Sequence, residues 1–378
     1  MNYLQSAQAL YEQMVRDRRH LHQHPEVGMD LPETCSYVMA RLTEMGYQPR
    51  RLGGGVTATV TGKPDGKVFL LRADMDALPM REESGLPFAS QRSCAHTCGH
   101  DMHTAMLLWA AQLLRDRAAE LNGTVKFMFQ PGEEVLSGAR SMIEAGILED
   151  PHVDAAMGAH MIPMIPAGLG GYGTGVVSAS SDHLVIRVEG RGGHGAHPQS
   201  TVDPINIGVH IHLALQELLS READPAELVV LTFGKFQGGD AANIIPSSAV
   251  LEGTLRTFSE PLRTHLLERI DTICTCTAEA FRGRAQVTDL CSTCSLQIDG
   301  DTAAAVAQGW QREGLKMLQQ GEKMSGSEDF AEIAARVPST FFVVGGGTAQ
   351  DGCGVSLHNP KIRFREEALI YGAAAYAS

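Results

Sequence analysis

Five short apolar runs constrain the fold of this chain more than any other feature: GVTATVTG (55–62), KVFLLRAD (67–74), GTVKFMFQP (123–131), VDAAMGAH (153–160) and STFFVVGGG (339–347). Each has the length of a buried strand. Helical patterns separate several of them, notably 102–121 and 138–145. Runs with little or no polar alternation belong to strands covered on both faces. Buried strands alternating with helices make an α/β layer, with a mainly parallel sheet flanked by helices. Two more helices are expected ahead of the sheet, at 6–23, ended before Pro25, and at 32–45, capped by Gly46.

The pattern changes near residues 173–181. DHLVIRVEGRGG, ELVVLTFGKFQGG and SSAVLEGTLRTF alternate like half-exposed strands, with helices expected at 204–221 and 260–282. This is an α+β module of roughly a hundred residues, an ordinary domain size. After AQVTDLC the chain returns to helix and buried strand. The economical arrangement is one split α/β domain, 1–178 and 296–378, carrying an inserted α+β domain at 179–295. A chain of 378 residues exceeds what a single core usually organises, which agrees with two domains.

Composition removes several function classes. The formal charge of −13 opposes binding to nucleic acid or anionic membranes, both of which need a basic surface. The N-terminal stretch lacks a basic start followed by an apolar core, and no apolar run approaches spanning length. Eight cysteines in a chain of this length do not form a disulfide framework and are expected to be reduced. A cytoplasmic enzyme acting on a small molecule is the plain expectation.

In an α/β sheet, ligands collect at the carboxyl ends of the parallel strands. KVFLL runs into Arg72, Asp74 and Asp76. VKFMF ends at Gln130, followed by Glu133 and Glu134. VDAAMGA ends at His160, and FFVV leads through glycines to His358. The fifth segment, CAHTCGHDMH (94–103), precedes the 102–121 helix, with Asp101 as its candidate N-cap. Thiolate, imidazole and carboxylate together suit a divalent transition metal: zinc, with manganese, cobalt or nickel as substitutes. Cys98 and His100, two apart in a loop, are close enough to serve neighbouring ions, and Glu134, His160 and His358 can complete the shells. Five ligands exceed what one catalytic zinc with an open position uses and suit two ions sharing a bridge. Of the adjacent carboxylates Glu133 and Glu134, one can bind metal while the other takes a proton from metal-bound water. Asp76 can hydrogen-bond a ligand from outside the shell.

Other residues of the same types read as structural. His96, His103 and Cys94 lie in the dense loop without a required role, and His22 and His24 sit on the first helix and at its end. The pairs Cys274–Cys276 and Cys291–Cys294 fall on a helical pattern and a strand end, where buried thiols are the ordinary case.

In order, LRADMDALPM, CGHDMHTAMLL, FQPGEE, GRGGHGAHP, NIIP, GTLRTF, GSEDFA and LHNPKIRF resemble the aminoacylase and hippurate-hydrolase branch of the dinuclear zinc carboxypeptidase-like metallopeptidases. That branch also holds indole-acetyl-amino-acid hydrolases and N-acetyl-diaminopimelate deacetylases. The resemblance covers nearly the whole chain, including RRHLHQHPEVG near its start. It implies a zinc exopeptidase-like catalytic domain with an inserted lid and dimerisation domain. It makes Cys98, His100, Glu134, His160 and His358 ligands of two divalent ions and Glu133 the general base and acid. Cys98 takes the place of a bridging aspartate in other branches. Asp74 stands where those branches ligate through histidine, and is read as a non-ligand. His194 would stabilise the oxyanion, often from the partner subunit of a homodimer, and Asn243 and Arg256 would bind substrate. Met102 and Gly132 depart from the glycine and alanine common at those places.

The implied reaction is hydrolysis of an N-acyl amino acid to a carboxylic acid and a free amino acid by metal-activated water. A dipeptidase or aminopeptidase with the same ions is the rival enzyme reading. A non-catalytic binding protein of the same fold would require a missing ligand or base, and Cys98, His100, Glu133, Glu134, His160 and His358 are all present.

Overall fold

The computed structural model describes residues 2–319, 321 and 323–378. They form two compact units. One draws on the described residues of Met1–Val177, Leu296–Glu322 and Glu328–Ser378, the other on Ser178–Ser295 and Lys323–Ser327. Residues 323–327, expected with the flanking segments, group with the inserted unit instead. The reason is backbone pairing: the Ala179 N–H donates to the carbonyls of Met324 at 3.1 Å and Gly326 at 3.2 Å.

In chain order the main strands are β1 (Arg50–Leu52), β2 (Gly55–Thr61), β3 (Lys63–Asp74), β4 (Asn122–Gln130), β5 (Ala155–Ile162), β6 (Leu169–Tyr172), β7 (Ser181–Glu189), β8 (Val229–Gly238), β9 (Ser248–Thr257), β10 (Arg284–Thr293), β11 (Lys316–Gln319) and β12 (Ser339–Gly345). The first unit holds an eight-stranded sheet ordered β1-β2-β4-β3-β5-β12-β6-β11. Its centre, β4-β3-β5-β12, is parallel throughout. The four expected runs that end in polar residues are these four strands, so their carboxyl ends share one edge. The fifth run, β2, is antiparallel to β4 and forms a hairpin with β1. Its end points the other way and delivers no polar side chain to that edge.

Both faces are covered. The helix His100–Asp116 is buried along nearly its whole length, and the C-terminal helix Ala368–Ala377 packs beside it. Small residues in ALIYGAAAYA allow that close approach. Phe127, Phe129 and Phe342 are fully buried between the layers. Each such side chain contributes about 1.5–3 kcal/mol of burial free energy. The expected 6–23 helix is two helices, Tyr3–Ala9 and Tyr11–Gln23, interrupted at Leu10. The expected 102–121 helix starts two residues earlier. Gly99 occupies the N-cap with φ +90°, so Asp101 lies inside the helix and is not its cap. Asp101 is instead buried against Arg18 at 2.8 Å and His22 at 2.8 Å.

The second unit holds an antiparallel sheet ordered β8-β9-β7-β10. β9 alternates between buried and partly exposed positions, as the sequence pattern predicts for a sheet with one covered face. The helices Pro204–Glu217 and Glu260–Ala280 bury Ile207, Ile211, Leu266 and Ile270 in that unit's core. Among the described residues no helix is long and apolar enough to cross a membrane.

Candidate metal centre

Four strand ends and one loop assemble the centre in the first unit. Cys98, His100 and His160 bring one ligand atom each within 4.8 Å of one another, and Cys98, Glu134 and His358 do the same. Cys98 is common to both groups. Its sulfur lies 3.4 Å from His160 Nε2. The two groups fit two cations that share a thiolate, the arrangement expected when five ligands serve a pair of ions.

The imidazoles are oriented by backbone carbonyls. His100 Nδ1 donates to the Asp76 carbonyl at 2.8 Å, and His160 Nδ1 donates to the Met161 carbonyl at 2.7 Å. Each bond turns Nε2 toward the centre with its lone pair available, the arrangement usual for metal-bound histidine. His100 Nε2 and Glu134 Oε1 are buried without any hydrogen-bond partner. Two orphaned polar atoms of ligand type, side by side at 3.9 Å, are costly unless something bonds them. A divalent cation satisfies both.

His358 closes the second group. Its backbone adopts φ +60° and its N–H donates to the Thr97 carbonyl at 3.0 Å, which ties it to the loop carrying Cys98. Its Nε2 lies 3.4 Å from Glu134 Oε1, and its side chain is 51% exposed. The first group is deeply buried, whereas the second opens to solvent.

The adjacent carboxylates stand on a turn and not on the helix start that acidic residues often favour. Gly132 precedes them at φ +61°, a left-handed backbone conformation that glycine adopts without strain. Asp76 Oδ1 accepts the Glu133 N–H at 3.0 Å and Oδ2 accepts the Glu134 N–H at 3.2 Å.

Electrostatics separate the two. Burial and then the carboxylates of Glu328, Asp329 and Glu134 push the Glu133 carboxyl well above its usual range. Burial also raises Glu134, but His358 and His100 outweigh it and hold that carboxyl below its usual value. Burial drives His160 down to about 3, so its ring is neutral, as a ligand must be. For His100, burial alone would lower the pKa, and the Asp74 and Asp76 carboxylates reverse this. Burial raises the Cys98 thiol, which a bound divalent cation would deprotonate.

Of the side chains read as structural, His103 has a definite place. Its Nδ1 donates to Asp74 Oδ1 at 2.6 Å, and its Nε2 accepts the Met161 N–H at 2.8 Å. Sequence reasoning assigned no role to Gln130, Glu328 or Asp329. Buried Arg72 binds Gln130 at 2.9 Å, Asp329 at 2.8 Å and Glu328 at 2.9 Å, which builds a charged layer beneath Glu133. The signal was present in GSEDFA, an acidic pair amid small residues.

His194, Asn243 and Arg256 belong to the second unit. His194 lies on a two-residue strand paired with Ile244, and the Gly195 N–H donates to the Asn243 carbonyl at 2.9 Å, so these two are neighbours. Arg256 stands on β9, with its Nη1 on the Ser325 carbonyl at 3.4 Å.

Comparison with known proteins places the chain. The signature of Peptidase family M20/M25/M40 matches residues 70–378. An N-acetyl-L-cysteine deacetylase of Bacillus subtilis is 36% identical over 364 residues, 96% of this chain and 86% of that protein. The IAA-amino acid hydrolase ILR1-like 4 of Arabidopsis thaliana is 36% identical over 377 residues, 97% of this chain and 85% of its own. The crystal structure of the Bacillus subtilis YXEP protein, described as a dinuclear metal binding peptidase from the M20 family, superposes with a TM-score of 0.82 at 33% identity, covering 98% of this chain and 97% of that one. The chain belongs to Peptidase family M20/M25/M40.

Proposed function

We propose that this enzyme hydrolyses the amide bond of N-acyl amino acids, releasing a carboxylic acid and a free amino acid. The observation that carries the reading is Cys98, common to two ligand groups, with the buried carboxylate Glu133 beside them. The names of the deacetylase and the IAA-amino acid hydrolase relatives agree with it.

Cys98, His100 and His160 would hold one divalent cation, and Cys98, Glu134 and His358 the other. Zinc fits this thiolate, imidazole and carboxylate set, and manganese, cobalt or nickel can replace it. When bound, such ions polarise a carbonyl oxygen and make water acidic.

Glu133 takes a proton from the attacking water and passes it to the departing amide nitrogen. Oxygen from water ends in the carboxylic acid, and the leaving group departs as a neutral amine. Burial and the neighbouring carboxylates raise the Glu133 carboxyl above its usual range, which makes it a stronger proton acceptor than a free glutamate. Asp76 keeps the Glu133–Glu134 turn in place while this happens. His194 donates to the developing oxyanion. Arg256 binds the substrate carboxylate through its forked guanidinium, and Asn243 orients the amide. In this reading the unit of 1–177, 296–322 and 328–378 is the catalytic domain, and the inserted unit, 178–295 with 323–327, forms the lid and the homodimer contact. The enzyme works in the cytoplasm on small molecules.

A panel of N-acetyl and N-benzoyl amino acids beside free dipeptides tests the proposal, using chelator-stripped and metal-restored protein. Hydrolysis of the blocked amino acids, abolished by stripping and returned by metal, is expected. Cleavage of free dipeptides with no action on blocked substrates would contradict it and favour the peptidase reading.

A further inference from the structure

Asp74 lies close enough to the centre to compete for an ion. Its Oδ2 is 3.8 Å from His100 Nε2, and Asp74, His100 and His103 bring ligand atoms within 4.8 Å of one another. Proximity alone would allow these three to form an alternative metal site. Their hydrogen bonds oppose it.

Arg72 Nη1 donates to Asp74 Oδ2 at 2.7 Å, and His103 Nδ1 donates to Asp74 Oδ1 at 2.6 Å. Each carboxylate oxygen thus accepts one hydrogen bond, and the two bonds fix the orientation of the carboxylate. His103 has no lone pair left, since its Nε2 accepts the Met161 N–H. Arg72 cannot swing aside cheaply. It is fully buried, and its remaining donors face Gln130, Glu328 and Asp329. Freeing it would strand a buried charge, which costs several kcal/mol.

We infer that Asp74 is a fixed anion that strengthens binding of the ion held through His100 without entering its coordination shell, and that Arg72 and His103 clasp it in that role. A carboxylate at this distance attracts a divalent cation yet leaves open the coordination position that water and substrate need. The clasp also removes His103 from the ligand set, so the ion takes Cys98, His100 and His160. This inference rests on the two-ion reading of the centre.

Cobalt(II) titration of metal-free protein tests it, with the cobalt–thiolate absorption and the metal content per chain as readouts. Wild type taking up two equivalents tests the two-ion reading by itself. The Asp74→Asn variant is then expected to bind two equivalents still, with affinity for one of them about 10–100-fold weaker. Uptake of one equivalent would make Asp74 a ligand, and wild-type affinity at both sites would make it a bystander. Either result overturns the inference. If Asp74→Asn does not fold, His103→Asn decides, because its amide still donates to Asp74. Two equivalents at near wild-type affinity are expected, and loss of one would show His103 to be a ligand.

Discussion

The Asp76 carboxylate accepts the backbone N–H of Glu133 at 3.0 Å. The same carboxylate takes the Glu134 N–H at 3.2 Å and lies 3.4 Å from His100 Nδ1. One strand-end residue thus orients the proposed general base, Glu133, and two candidate ligands at once. Asp76→Ala should lower kcat by about 10–100-fold and weaken metal binding together, the usual cost of losing a group that supports ligands. Steady-state kinetics and metal titration check this. A change in KM alone would not fit.

In the proposed mechanism Glu133 moves a proton and Glu134 binds metal, so substitutions at the two positions should differ in kind. Glu133→Gln should lose about 10²–10⁴-fold in kcat while retaining both ions, because the proposed work of Glu133 is proton transfer. Glu134→Gln should lose an ion. Metal analysis beside single-turnover kinetics distinguishes them, and normal turnover by Glu133→Gln would refute the assignment.

Part of this was legible in the sequence for a physical reason. Cys98, His100, Glu133, Glu134, His160 and His358 sit at the ends of parallel strands or in the loop entering a helix, and in an α/β sheet all such ends meet at one edge. The polar layer beneath them was not legible. Arg72 binds Asp329 across 257 residues of chain, a pairing that no local pattern encodes. Asp101 misled because its type suits an N-cap, whereas the left-handed turn at Gly99 starts the helix earlier and turns Asp101 inward toward Arg18. Residues 323–327 misled because a short return of chain to the inserted unit leaves no composition change.

His22 supplies a pH-dependent share of stability. Its ring is buried between Asp101 at 2.8 Å and Glu82 at 3.0 Å. Burial and Arg18 oppose its charge, but the two carboxylates prevail and raise its pKa. A raised folded pKa means that the contribution is fully present below the unfolded value of about 6.5 and is lost as pH climbs through the folded one. The stability gap between wild type and His22→Gln should therefore be widest below about pH 6.5 and narrow in alkali. Urea unfolding at several pH values measures it, and a gap that widens with pH would contradict the assignment.

Lys126 fastens the loop before β5. Its Nζ donates to the carbonyls of Ile147 at 3.0 Å, Glu149 at 2.7 Å and Pro151 at 2.9 Å. Lys126→Met should destabilise by about 3 kcal/mol, because buried carbonyls are left without donors. The remaining folded enzyme should keep its kcat. Thermal unfolding with parallel kinetics tests the pair of outcomes.

A shared site between subunits would appear as complementation. Mixing inactive Glu133→Ala and His194→Ala chains should restore part of the activity if His194 serves the partner's site. No rescue, with subunit exchange verified, would confine the site to one chain.

The shared thiolate is the most exposed point of the account, and cobalt binding to Cys98→Ala probes it directly. Wild type should bind two cobalt ions with a thiolate charge-transfer band, whereas Cys98→Ala should lose the band and weaken both ions together. If Cys98→Ala instead keeps two ions at wild-type affinity, the sulfur joins nothing, and the paired centre is wrong.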